Sequence, residues 1–312
     1  MAWGRALGLA LVGWLAAAAL IRASAAAGAP PPSPVKARLL ADSTGLEPGR
    51  TLTVGVLLEV ERGWHVYWKH PGDAGQATSV VLRLPPGLAA GPLRWPVPTR
   101  FTQPGDIAGF GYAGTVLLTA RIEAPASAFR ESAPAEVPIA ADVTWLACKD
   151  ICVPGGARLE MRLPVVRSAG PANERLFAEW EPRVPVDLGS PGCPATVEFR
   201  GGIPLGGDTG RIRLEVAWRA LATDVDWFPA PPDWLVVGAV AIRTEGLKSE
   251  ISFTARLLRG TRARPTVLDS VIAHADAQGR PRGIAVLAPL AGPPLKPDPQ
   301  TRAPASAEGC GR

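Results

Sequence analysis

The sequence predicts an all-β protein that consists of two β-sandwich domains. Short runs of alternating apolar and polar residues recur along the chain, and residues 52–60 place an apolar side chain at every second position, as a strand with one buried face requires. Glycine and proline occur 34 times each in 312 residues, which suits short strands joined by turns. Turn sequences such as those at 47–49, 71–73 and 85–87 separate the apolar runs. No helical repeat lies between these runs, and this spacing is typical of β-sandwiches.

In chain order, we expect a first domain over residues 35–167 and a second over residues 190–290. The strands predicted for the first domain are 52–60, 64–69, 79–84, 115–122, 137–147 and 158–165. Those predicted for the second domain are 211–218, 234–243, 250–258, 266–273 and 283–288. Residues 168–189 are predicted to be a linker with a short helix over 173–180. The Pro-rich, polar tail at 291–312 is predicted to be disordered.

The first 27 residues have the order of a secretory signal peptide. Arg5 precedes the apolar stretch 6–21, and small residues follow as far as Ala27, which is the charged, apolar and small-residue order of such signals. Cleavage after Ala25 or Ala27 would release the protein into the periplasm. Arg22 directly after the apolar stretch leaves an uncleaved N-terminal anchor as the alternative, although 16 residues are fewer than the roughly 20 that span a bilayer.

The charge pattern argues against a nucleic-acid partner. The net charge is +5, and the basic residues are scattered rather than clustered with aromatic residues.

Export would place all four cysteines, Cys148, Cys152, Cys193 and Cys310, in a compartment where disulfides persist.

Cys148 and Cys152 are the sharpest chemical signal in the sequence. Residues four apart in a straight strand lie about 13 Å from each other, beyond the roughly 4.4–6.8 Å that a disulfide allows between its Cα atoms. A three-residue hairpin loop at 149–151 would set the two cysteines opposite each other, about 4.5–5.5 Å apart. We therefore predict an intramolecular disulfide at the tip of a hairpin.

Three uses of this pair stay open on the residues alone. The chain-entropy estimate for so short a loop is about 2 kcal/mol, so the pair would be a weak brace but a reachable dithiol. The alternatives to redox exchange are a structural disulfide in a non-redox binding module and a thiolate site in a copper-handling envelope protein. The three histidines show no ligand-like spacing with the cysteines, and neither a metal nor a cofactor is predicted. Whether Cys193 and Cys310 pair is also open.

Four motifs in the same order resemble the N-terminal periplasmic domain of the DsbD and ScsB thiol:disulfide interchange proteins. The motifs are GWHVYWKHPGDAG at 63–75, LRWPVPTRF at 93–101, GFGYAGTVLL at 109–118 and WLACKDICVPG at 145–155. The likeness covers about residues 35–166. It implies an immunoglobulin-like sandwich for the first domain, with Cys148 and Cys152 as its redox pair.

The resemblance also implies which side chains surround the pair. It places His65 and Tyr67 near the cysteines, where His65 could relay protons. It makes residues 101–110 a cap loop, in which Phe101 or Phe110 would shield the cysteines until a partner docks. Independently of the resemblance, Lys149 in the predicted hairpin loop could favour a thiolate, and Asp150 beside it would oppose one.

Two departures from the family pattern shape the predicted function. The spacing is C-x3-C, as in ScsB-like members, and a second β-region stands where the family has membrane and thioredoxin domains. The segment DWFPAPPD at 226–233 resembles the additional sandwich of ScsB-like proteins. The resemblance thus implies a periplasmic exchange protein that relays electrons from a membrane donor of the CcdA or DsbD type to thioredoxin-like proteins. Whether the chain is itself a protein-disulfide reductase is left open.

Overall fold

The computed structural model describes residues 33–103, 105–129, 134–258 and 266–292, and they form the predicted all-β fold. The predicted signal peptide, Cys310 and nearly all of the predicted tail lie outside the described residues. Within those residues, no helix has the length and apolar character that crossing a membrane requires.

Among the described residues, the first sandwich contains ten strands in two antiparallel sheets. The strands are β1 (Val35–Ala41), β2 (Arg50–Val60), β3 (His65–Gly72), β4 (Ser79–Arg83), β5 (Ala89–Ala90), β6 (Thr99–Gln103), β7 (Ile107–Ala113), β8 (Thr115–Ala124), β9 (Glu136–Cys148) and β10 (Cys152–Pro164). One sheet has the order β1-β2-β8-β5. The other has the order β10-β9-β3-β7-β6, and β4 also pairs with β9.

The alternation that predicts β2 matches its burial. The apolar side chains at 52, 54, 56, 58 and 60 are all buried. The neighbourhood of Gly55 is filled as well, because an added Cβ there would lie 2.7 Å from Leu117 and 3.2 Å from Phe177. Phe177 belongs to α1 (Glu174–Trp180), a short helix close to the predicted one, and Trp180 is buried in the first core. The segment predicted as a linker therefore contributes side chains to that core.

In the described part of the chain, the second sandwich contains eight strands, again in two sheets. The strands are β11 (Val186–Asp187), β12 (Ala195–Gly202), β13 (Thr209–Trp218), β14 (Thr223–Pro229), β15 (Leu235–Glu245), β16 (Lys248–Leu257), β17 (Val267–Ala275) and β18 (Pro281–Pro289). The sheets have the orders β11-β18-β17-β14 and β12-β13-β16-β15. Their apolar faces share one core, in which Trp227 stacks on Phe253 with ring centroids 4.4 Å apart.

The two sandwiches are in direct contact. Phe228 of β14 is buried and packs edge-on against Phe110, with ring centroids 5.1 Å apart, and against Trp68 at 6.4 Å. Lys69 forms an ion pair with Asp269 across the same boundary. Each sandwich has its own apolar core, and the division into two domains stays a prediction.

The largest departure from the predicted elements is at residues 101–110. Instead of an irregular cap loop, most of this segment belongs to the antiparallel hairpin of β6 and β7. An added Cβ on Gly109 would lie 2.1 Å from the Phe101 ring, and one on Gly111 would lie 2.0 Å from the Val66 carbonyl oxygen. These glycines permit close approach of neighbouring groups within a sheet rather than marking a turn. Strands β1, β5, β11, β12 and β14 were likewise absent from the predicted set.

Candidate redox site

The cysteine pair lies at the tip of the β9–β10 hairpin. Cys148 ends β9, Cys152 begins β10, and the register sets them directly opposite each other. The backbone N–H of Lys149 donates to the Ile151 carbonyl at 3.0 Å, which closes the short loop. The two Sγ atoms are bonded, and the Cα atoms are 4.1 Å apart, just below the usual range of about 4.4–6.8 Å. The predicted disulfide and hairpin are confirmed.

The two sulfurs differ in their access to solvent. Cys148 is 1% exposed, because β9 is an interior strand with β3 and β10 on either side. Cys152 is exposed, at the start of the edge strand β10. Thiol–disulfide exchange depends on which sulfur an incoming thiolate can reach. The hairpin therefore presents one sulfur and covers the other.

A cluster of three rings lies beside the covered sulfur. His65 is the β3 residue directly opposite Cys148 in the sheet, and Tyr67 follows two residues later on the same face. The Phe101 ring lies 3.8 Å from the His65 ring and 5.6 Å from the Tyr67 ring, centroid to centroid. The structure thus brings His65, Tyr67 and Phe101 together next to Cys148, and their roles at the redox pair stay predictions.

The Tyr67 hydroxyl connects this cluster to the disulfide. Its oxygen is 3.6 Å from Cys148 Sγ and 3.2 Å from the Gln103 side-chain oxygen. A phenol has one hydrogen to donate, so these two acceptors compete for it. The Gln103 Nε2 group is buried and has no partner among the described residues. If the amide were turned over, Nε2 would donate to Tyr67 and free the hydroxyl hydrogen for the sulfur.

Sequence reasoning did not identify Gln103. It lies two residues after Phe101 on β6, and period-two alternation puts both on the same face. That signal depends on knowing that residues 99–103 form a strand. Because the segment was predicted to be a loop, the alternation could not be used.

Burial changes the titration of both polar members of the cluster. Desolvation lowers the pKa of His65, which favours a neutral imidazole. Desolvation raises the pKa of Tyr67, with an opposing contribution from its hydrogen bond to Gln103. The His65 Nε2 atom is buried and has no partner among the described residues. The cluster can therefore hold a neutral imidazole and a protonated phenol beside the disulfide.

Two other predicted residues have different surroundings. Phe110 faces the second sandwich and contacts Phe228, so Phe101 is the aromatic residue of this hairpin that packs on the His65–Tyr67 rings. Lys149 is exposed at the hairpin tip, and its side chain passes close to Gly63. An added Cβ on Gly63 would lie 3.3 Å from Lys149 Cε.

Among the described residues, no group of three or more His, Cys, Asp and Glu side chains is arranged to hold a metal ion.

Cys193 is 2% exposed, and its thiol donates to the Ala195 carbonyl at 3.2 Å. Its pairing with Cys310 stays a prediction, because Cys310 lies outside the described residues.

Residues 36–164 match the family model described as "Thiol:disulfide interchange protein DsbD, N-terminal". This part of the chain, which is the first sandwich with its cysteine hairpin, belongs to that family of domains. Comparison with curated proteins returned no match.

Among solved structures, the chain is similar to the N-terminal periplasmic domain of ScsB from Proteus mirabilis. The TM-score is 0.57 at 15% sequence identity, over 84% of this chain and 96% of that chain. At this identity the likeness shows the fold alone, and its coverage extends beyond the first sandwich. A protein of unknown function from Porphyromonas gingivalis W83 aligns with a TM-score of 0.23 at 16% identity, over 83% of this chain and 100% of that chain. A TM-score of 0.23 is too low to indicate a shared fold.

Proposed function

We propose that this protein is a periplasmic thiol–disulfide exchange protein that takes electrons from a separate membrane reductant and passes them to thioredoxin-like partners. The observation that carries the proposal is the unequal access to the two bonded sulfurs. Cys152 is exposed, whereas Cys148 is buried with the Tyr67 hydroxyl 3.6 Å from its sulfur. The family of the first sandwich and the resemblance of its motifs support this function and these partners.

Reduction of the pair would begin at the exposed sulfur. A thiolate of the membrane reductant attacks Cys152 Sγ, a mixed disulfide forms, and the Cys148–Cys152 bond breaks with its electron pair on Cys148. The reductant's second thiolate then attacks its own sulfur in the mixed disulfide and releases Cys152 as a thiolate. The reductant ends as a disulfide, and this pair has gained two electrons.

Delivery of the electrons would use the same sulfur in reverse. The Cys152 thiolate attacks the disulfide of a thioredoxin-like partner, and one partner sulfur leaves as a thiolate. Cys148 then attacks Cys152 in the mixed disulfide, which releases the reduced partner and restores the Cys148–Cys152 bond.

The side chains around Cys148 fit its role as the leaving and resolving sulfur. A hydrogen bond from the Tyr67 hydroxyl would stabilise the Cys148 thiolate, and bonds to charged groups are the stronger ones. Neutral His65, opposite Cys148 in the sheet, could accept the thiol proton when Cys148 becomes the nucleophile.

Trapping with single cysteine variants tests the proposal. Cys148→Ser leaves the exposed Cys152 without its resolving partner, so we expect it to accumulate mixed disulfides with thioredoxin-like proteins in a bacterial envelope. Cys152→Ser leaves only the covered Cys148 and should trap at least about tenfold less. Non-reducing gels and mass spectrometry of acid-quenched cells give the readout.

The competing functions give different results. A structural brace predicts no mixed disulfides in either variant, together with a reduction potential below about −300 mV. Equal trapping by the two variants would contradict the assigned roles of the sulfurs. Stoichiometric Cu(I) binding that needs both cysteines would favour the copper-handling alternative.

A further inference from the structure

Strand β6 has a different neighbour on each of its faces. Phe101 and Gln103 project toward the cluster beside Cys148, where they contact His65 and Tyr67. Arg100, between Thr99 and Phe101, projects to the opposite side, as period-two alternation requires. The strand that covers the buried sulfur therefore has a second face, and that face meets the second sandwich.

Arg100 is attached to the second sandwich by several contacts. Its guanidinium donates to Asp226 through Nε at 2.9 Å and through Nη2 at 2.7 Å, and Nη2 also donates to the Trp227 carbonyl at 3.0 Å. The same group lies over the ring of Phe110, 4.9 Å from its centroid, and 5.5 Å from that of Phe228. A bidentate arginine–carboxylate pair restricts the orientation of the guanidinium group as well as its distance from the carboxylate.

We propose that Arg100 and Asp226 are positioning residues, through which the second sandwich holds the β6–β7 hairpin closed over Cys148. Arg100 is adjacent to Phe101 in the same strand, so fixing its guanidinium limits how far the Phe101 ring can lift from His65 and Tyr67. The edge-on contact of Phe110 with Phe228 holds the other strand of the hairpin. The second sandwich thereby sets how often the covered sulfur is accessible.

The proposal deepens the proposed function, and it rests on that function in treating the cysteine pair as redox-active. We assume an equilibrium between closed and open positions of the β6–β7 hairpin over Cys148. When opening and closing are fast, reaction of a covered group with a small reagent follows the population of the open state. Weakening the Arg100–Asp226 pair should raise that population.

A matched ion pair elsewhere in the chain provides the control. Arg94 and Glu181 form a similar two-pronged pair, with both N–O distances at 2.7 Å. This pair joins Arg94, which lies outside β6 and is bridged to Thr119 of β8, to the 3-10 helix Glu181–Arg183. Asp226→Asn and Glu181→Gln therefore remove the same kind of interaction at different places.

The experiment measures alkylation of Cys148 by iodoacetamide in full-length protein that carries Cys152→Ser. We expect Asp226→Asn to speed alkylation about fivefold and Glu181→Gln to leave it unchanged. Rates taken across pH separate the plateau, which reports access, from the midpoint, which reports the thiol pKa. Only the plateau should rise. An unchanged plateau with Asp226→Asn, or an equal rise with Glu181→Gln, overturns the proposal.

Salt supplies a test that needs no variant at position 226. Raising NaCl from about 0.05 M to about 1 M weakens a partly exposed ion pair, while iodoacetamide is uncharged. Alkylation of Cys148 should therefore accelerate about twofold at high salt, and a rate independent of salt overturns the proposal. Both tests are independent of trapping, so Cys148 access can respond to the pair even if no thioredoxin-like partner is ever captured.

Discussion

Within the described residues, each sandwich buries one cysteine, and the surroundings of Cys148 and Cys193 differ. In the first, Cys148 is bonded to Cys152 across a hairpin tip, with the Tyr67 hydroxyl 3.6 Å away. In the second, Cys193 donates its hydrogen to the Ala195 carbonyl two residues along, as a small core residue does. The comparison teaches that burial alone does not define a redox sulfur. An exposed partner sulfur and a nearby proton donor distinguish Cys148.

The largest expected effect tests the contrast between Cys148 and Cys193. Replacing both Cys148 and Cys152 by Ser should abolish exchange with a thioredoxin-like partner. The melting temperature should fall by only a few degrees, because the loop that the disulfide closes is short and contributes about 2 kcal/mol. Cys193→Ser should keep full exchange. Thiol-exchange assays and thermal melts check both, and exchange that persists through Cys193 would refute the assignment.

The next effect concerns the boundary between the sandwiches. Phe228 belongs to β14 but packs in the first core, so Phe228→Ala should lower the free energy of unfolding by about 3–5 kcal/mol. We expect calorimetry to show the unfolding of the two sandwiches separating into two transitions. Phe253→Ala, inside the second core, should cost a similar amount without loosening the boundary. A single transition for Phe228→Ala would argue against a stabilising contact there.

A smaller effect separates the two tyrosines of the first sandwich. Tyr67→Phe removes the hydroxyl beside Cys148, and we expect the exchange rate to fall about tenfold, since hydrogen bonds to charged groups contribute about 1.5–3 kcal/mol. Tyr112 donates to the Pro96 carbonyl at 2.7 Å, so Tyr112→Phe should cost stability and leave exchange unchanged. The pH dependence of alkylation should show a higher Cys148 pKa only in Tyr67→Phe.

The smallest expected effect compares His65, which is half-buried in the first sandwich, with His274, which is buried in the second. Burial lowers the pKa of both His65 and His274 below 6.5. The unfolded chain therefore binds more protons than the folded chain just below that pH, so stability falls as the pH drops through this range. His65→Gln and His274→Gln should each reduce the loss of melting temperature between about pH 7 and pH 5, which thermal melts at the two pH values measure. Only His65→Gln should also change the pH profile of exchange.

Much of the fold could be predicted because its signals are local. Alternation over residues 52–60 predicted β2, and the glycine and proline turns predicted most other strands close to their observed bounds. The hairpin β6–β7 was missed because the resemblance predicted a cap loop over residues 101–110. In place of that loop, β7 contains Gly109 and Gly111. Their small size is needed for contact with Phe101 and the Val66 carbonyl, which are distant along the chain or on another strand.

The features of the redox site also fall into those that local sequence predicts and those that depend on tertiary contacts. The sequence by itself determined the disulfide, because only a tight turn over three residues lets Cys148 and Cys152 meet, and that geometry is local. The tertiary structure alone decided which sulfur is covered, because that depends on β9 being interior and β10 being at the sheet edge. It also decided that Gln103 reaches Tyr67 and that Arg100 reaches Asp226, across separations of 36 and 126 residues. Spacing along a chain carries no information about such contacts, since they depend on how sheets pack rather than on turn geometry.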